Sequence, residues 1–182
     1  MNTSHAANHD AAHEVAPGVH VIPVKTFTLP PATHTNCYVI GFQELIVIDP
    51  ATPLAGDQAR LIAYLRGLEQ RGAHIKEIWL THHHSDHVGA LQKIRETFQI
   101  PVAAHRLTSH RLPGSVGGDR SIEDNDLTIF QSPYGQAATW RALHTPGHAT
   151  GTYALRGKSA HTHFWRQCPA SAPSSSVPLK AT

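Results

Sequence analysis

The segment Thr81-His82-His83-His84-Ser85-Asp86-His87 places four imidazoles and a carboxylate within six residues. These are the ligand types that zinc takes in a site kept open for chemistry, and they suit iron as well. Alternate residues of a strand share a face. An extended segment entering from Leu80 therefore aims His82 and His84 at one metal position, with His83 turned away, exposed or donating from outside the ligand set. Asp86 and His87 follow where a helix begins, an end that favours an anion through its free N–H groups. They supply a carboxylate and an imidazole beside the first position. Further along, His144-Thr145-Pro146-Gly147-His148 holds a proline–glycine turn. Such a turn can return His148 to the face where the preceding strand ended, as a third imidazole. His144 reads as a strand-end residue with a hydrogen bond of its own.

The elements that must position these groups are legible from periodicity. Residues 19–24 form a first strand, placed at a sheet edge because Pro23 lacks an N–H. Residues 36–40 and 45–49 form two more strands joined by a short turn at Gly41, the second apolar on both faces as a buried strand should be. Leu61, Ile62, Leu65 and Leu68 share a face of a helix over 56–71 that stops at Gly72. Residues 75–80 make the strand that delivers the histidines, and a helix over 89–98 follows with Leu91, Ile94 and Phe98 on one face. Strands are expected at 101–104, 127–130, 139–143 and 152–155. The segment 106–125 shows no period and reads as loop.

Length and composition bound the rest. The chain has 182 residues, 40% hydrophobic and 15% charged, enough for one domain with a real core. A net charge of +2 is too small to argue for nucleic acid or a membrane surface. A small-molecule substrate is the expected partner, and nothing in the sequence fixes an oligomeric state. The two cysteines, Cys37 and Cys168, form no CxxC pair, so a reducing, cytoplasmic compartment is expected. No apolar run reaches transmembrane length, and the N-terminus has no signal-peptide pattern. Residues 1–16, with His5, His9 and His13 at four-residue intervals, are expected to be a disordered tail. After Arg156 the apolar alternation stops, no acidic residue occurs beyond Asp126, and 168–176 is low-complexity. Residues 156–182 are therefore expected to be a divergent, disordered tail, and a frameshift in the gene would account for it.

The order His-x-His-x-Asp-His, the downstream Pro-Gly-His, Asn36-Cys37-Tyr38 and a buried strand ending in Asp49-Pro50 together resemble the metallo-β-lactamase-fold metal-dependent hydrolases, over residues 17–155 in the expected order. The resemblance implies an α/β (α+β) fold, the αββα sandwich of two sheets flanked by helices, incomplete here in its second half. It implies that His82, His84 and His148 bind one metal and that Asp86 and His87 belong to a second, with Asp49 supporting the site without being a ligand. It implies one or two zinc ions, or iron. A metal-bound hydroxide would attack an ester, thioester, lactam or phosphodiester, with Asp86 as the catalytic carboxylate that orients the nucleophile and handles its proton. In the family a later Gly-Asp supplies a bridging aspartate and a further histidine completes the second metal. His161 and His163 stand in neither motif. Two other readings share these residues: a non-haem iron oxidoreductase on the same fold, and a non-catalytic metal-binding remnant. Substrate loops would lie in 106–125 and beyond 155.

Overall fold

The structure is a computed structural model that describes residues 11–114, 116–133, 135 and 137–158, and the backbone of 163–166. A seven-stranded sheet runs in sequence order through β1 (His13–Ala16), β2 (Val19–Lys25), β3 (His34–Gly41), β4 (Glu44–Ile48), β5 (His74–Leu80), β6 (Val102–Ala104) and β7 (Arg120–Ser121). The strands are antiparallel as far as β4 and parallel from β4 to β7. The change follows from the connections. Tight turns join β1 to β2 and β3 to β4, and a loop over 26–33 joins β2 to β3, whereas α1 (Ala55–Gln70) carries the chain from β4 to β5. The short α2 (Ser85–Val88) and α3 (Leu91–Phe98) carry it from β5 to β6, and parallel pairing needs such crossovers. After α4 (Arg106–Ser109) and β7, the strands β8 (Leu127–Gln131), β9 (Ala137–His144), β10 (Tyr153–Lys158) and β11 (His163–Arg166) form a four-stranded antiparallel sheet in the order β11-β10-β9-β8.

Side-chain alternation explains the layering. In β4, Leu45 and Val47 pack with Leu61, Leu65 and Leu68 of α1 and with Leu91 and Ile94 of α3. Ile46 and Ile48 of the same strand face Phe130, Trp140, Tyr153 and Leu155 of the second sheet. One helix layer and one sheet thus cover the two faces of the first sheet, and β4 is buried on both sides, as its unbroken apolar run required. Burying a side chain such as Leu65 contributes about 2 kcal/mol by area.

Four expectations need correction. Residues 13–16 are not tail: they form β1, because the turn at Pro17-Gly18, with Gly18 at φ +70°, folds them back onto Val19–Val21, and Glu14 accepts a hydrogen bond from Gly18 N at 2.7 Å. The first predicted strand is accordingly not an edge along its whole length. β1 reaches only as far as Val21, so Pro23 sits where no outer partner asks for its missing N–H. The predicted loop 106–125 contains α4 and β7, both too short to impose a period on the sequence. β10 runs on to Lys158 and pairs with β11, so the last strand does not stop at residue 155. His5, His9, His161 and residues 167–182, including Cys168, lie outside the described residues.

Candidate metal centre

The centre is built at the C-terminal ends of β4 and β5. β4 is followed by Asp49, whose φ of +49° turns the chain sharply while its backbone N–H donates to Trp79 O at 3.0 Å. That contact ties the turn to β5. The Asp49 carboxylate is 1% exposed and accepts three donors. Oδ1 takes Thr81 N at 2.8 Å, and Oδ2 takes Thr81 Oγ1 at 2.6 Å and His87 Nδ1 at 2.9 Å. Because Thr81 gives its proton to Asp49, its Oγ1 accepts from His82 Nδ1, 3.0 Å away. His82 is thereby held as the Nδ1–H tautomer, and its Nε2 is left with a lone pair. That Nε2 is buried and has no hydrogen-bond partner.

Three imidazoles converge on this point. Ligand atoms of His82, His84 and His148 lie within 4.8 Å of one another, and His84 Nδ1 is 2.8 Å from His148 Nε2. Nitrogen ligands of one tetrahedral zinc lie about 3.4 Å apart, so modest side-chain adjustment separates this arrangement from a three-histidine site. The His82 ring centroid is 4.8 Å from that of His84 and 5.0 Å from that of His148. Burial, then the neighbouring His87, depress His82 to about 3, and burial followed by His148 also lowers His84. Both rings are therefore neutral near pH 7, the form in which imidazole binds metal. The donor set, its protonation and the unpaired lone pair all fit a metal such as zinc.

The other predicted groups surround this set. His87 sits 4.1 Å from His82, centroid to centroid. Burial alone would lower its pKa, but the Asp49 charge and hydrogen bond outweigh burial and raise it. Asp86 lies half-buried in the first turn of α2, outside the converging trio. His83 stays outside the converging trio, its ring 4.8 Å from that of His84. His144 bonds through Nε2 to Thr150 O at 3.0 Å and stacks on His105 at 4.4 Å. Sequence reasoning missed Thr81 and His105. Neither carries a local signal, because the partners that give each its role come from other elements.

A glycine fixes the height of α2. A Cβ on Gly89 would lie 2.4 Å from Ala51 O, and the backbone there bonds across, Gly89 N to Ala51 O at 3.2 Å and Ala90 N to Pro50 O at 2.8 Å. The helix predicted to start at 89 therefore breaks, and α3 begins at Leu91.

A family model described as the metallo-beta-lactamase superfamily matches residues 30–162. A hydroxyacylglutathione hydrolase of Cereibacter sphaeroides is 32% identical over 137 residues, which are 74% of this chain and 48% of that protein. One of Ruegeria pomeroyi is 29% identical over 149 residues, 78% and 51% of the two chains. The chain thus spans about half the length of these curated relatives. Among solved structures, the metallo-beta-lactamase GOB-18 from Elizabethkingia meningoseptica superposes with a TM-score of 0.61 at 19% identity, covering 91% of this chain and 63% of that one. A beta-lactamase domain protein from Burkholderia ambifaria gives 0.62 at 17%, covering 79% and 50%. Both are likenesses of fold.

Proposed function

The chain belongs to the metallo-beta-lactamase superfamily, and from that premise we propose that it is a metal-dependent hydrolase acting on a small-molecule thioester. The observation that carries this reading is the convergence of His82, His84 and His148 around a buried, unpaired Nε2 of His82. The thioester is favoured over an ester, lactam or phosphodiester by the hydroxyacylglutathione hydrolases among the relatives.

His82, His84 and His148 would hold the ion, zinc being the first choice for an imidazole set. A bound zinc would supply a Lewis acid for the scissile carbonyl and a lowered pKa for water. Asp49 and Thr81 hold the His82 ring so that its lone pair points into the site, and Asp49 does the same for His87. Asp86, at the start of α2, orients the attacking water and receives its proton. His87 and Asp86 would form this chain's contribution to a second metal position.

The test measures metal content and thiol release from a hydroxyacylglutathione on the protein as purified. About one equivalent of zinc and thioester cleavage are expected, both lost in His82→Ala. Unchanged metal content in His82→Ala would overturn the ligand set. Metal-loaded protein that leaves the thioester intact would overturn the activity, and iron in place of zinc would point to the oxidoreductase reading.

A further inference from the structure

Of the three converging imidazoles, His148 is the one that depends on support from elsewhere. His82 is buried and held by Thr81, and His84 follows it on the same segment. His148 is exposed and stands on the turn between β9 and β10, in the other sheet. Bonds within that turn fix its shape. Thr145 N donates to Thr152 O at 2.9 Å, and Thr152 donates to Ala149 O from N at 3.2 Å and from Oγ1 at 2.9 Å. Its height over the histidine segment is set by other elements. Tyr153 N donates to Thr81 O at 3.2 Å, and His144 N donates to the Asp124 carboxylate at 2.8 Å. The brace closest to His148 on its C-terminal side comes from α4. Thr108, fully buried, donates from Oγ1 to Gly151 O at 3.0 Å. A Cβ on Gly151 would lie 2.5 Å from Thr108 Oγ1 and 2.6 Å from Thr108 N, so only a glycine lets the turn seat this deeply on the helix. Just ahead of α4, His105 stacks on His144, the rings 14° from parallel and 4.4 Å apart.

We propose that Thr108 is a positioning residue for the metal centre: its hydroxyl, bonded to Gly151 O, sets where His148 stands and so whether the third imidazole meets the ion. This rests on the reading of His82, His84 and His148 as ligands. Thr108 acts through the backbone of residues 148–151 and not by contact with the ion. Zinc takes imidazole nitrogen at about 2.0–2.1 Å, so a small displacement of the turn weakens one metal bond and spares the other two. The helix that carries Thr108 follows β6, the strand beside β5. The brace therefore measures His148 against the same sheet from which His82 and His84 extend. Because the contact is buried, water does not replace a lost hydroxyl.

Metal affinity and the cobalt(II) spectrum test this apart from turnover. Thr108→Val keeps the shape of the side chain without the hydroxyl, and Thr108→Ser keeps the hydroxyl without the methyl. Zinc affinity, measured against a competing chelator, is expected to fall about 10–100-fold in Thr108→Val, the loss typical when the support of a ligand is removed. Thr108→Ser should recover most of it. Cobalt(II) takes the same nitrogen ligands, and its visible absorption in Thr108→Val should shift toward that of His148→Ala. Thr108→Ala carries the same expectations should the valine variant not fold. Undiminished zinc affinity with an unaltered cobalt spectrum in Thr108→Val would overturn the proposal even if the metal-free protein melts lower, because the threonine would then serve stability alone. A loss that Thr108→Ser does not recover would overturn it too. If His148→Ala binds zinc and cobalt as the unaltered protein does, the ligand set falls and the proposal with it. Weakened binding in His148→Ala but not in Thr108→Val overturns the positioning role and leaves the ligand set standing.

Discussion

At the scale of single residues, Asp49 has the widest reach. Its Oδ2 takes protons from Thr81 and from His87, and through Thr81 it also sets the tautomer of His82. An amide can offer only one acceptor oxygen, so Asp49→Asn sets an N–H₂ against at least one of these donors. Partners that orient metal-binding histidines are worth about 10–100-fold in affinity, and a loss of that size is expected when the variant competes with a chelator for zinc. Affinity equal to that of the unaltered protein would mean that the imidazoles are held by packing alone. The resemblance to the family, not the local sequence, marks Asp49 as a support. It does not mark Thr81, since a hydroxyl before a histidine has no meaning until the aspartate across the sheet is in place.

Among the elements, α2 is positioned from outside itself. With four residues it has too little internal hydrogen bonding to stand alone, and Gly89 and Ala90 pin it to the loop after β4. Gly89→Ala forces a Cβ into Ala51 O and should lift α2 off that loop. The expected cost is about 1–3 kcal/mol in stability, accompanied by weaker zinc binding. Leu65→Ala is the comparison. Its cavity in the helix-side core costs about 2–5 kcal/mol but leaves the backbone bonds that pin α2 in place, and zinc affinity measured well below the melting temperature should hold. If both variants lose metal in proportion to stability, the glycine has no separate positioning role. The helices at 56–71 and 89–98 could be read because their apolar residues recur on one face, as α1 and α3 bear out. The break between α2 and α3 could not, because it is imposed by backbone contacts to residues some forty positions earlier.

Over the whole molecule, the two cores follow from one strand. Because β4 is apolar at successive positions it divides its side chains between the helices and the second sheet, and that much of the architecture was present in the sequence. The pairing of residues 13–16 and 163–166 was not, since neither segment has the apolar alternation that marks a strand. The buried histidines give the fold a pH dependence in the absence of metal. His20, His82, His83, His84 and His105 are all lowered, burial being the first cause in each, whereas His87 is raised, Asp49 outweighing its burial. A lowered folded-state pKa means that the unfolded chain binds protons first as pH falls below about 6.5, so stability is lost in that direction. His87 acts oppositely, and the five outweigh it. With chelator present, the urea midpoint should be lower at pH 5.5 than at pH 7.5, and a higher midpoint at pH 5.5 would contradict this balance. The histidine trio has one more consequence at this scale. His82 and His84 extend from the seven-stranded sheet, while His148 sits on the turn between two strands of the other. An ion shared by the three is a clasp between the sheets, and its binding free energy is added to their adhesion. Amide exchange in β9 and β10 would then slow on adding metal more than exchange in β2 and β3, making the second sheet's grip on the first a gauge of metal supply.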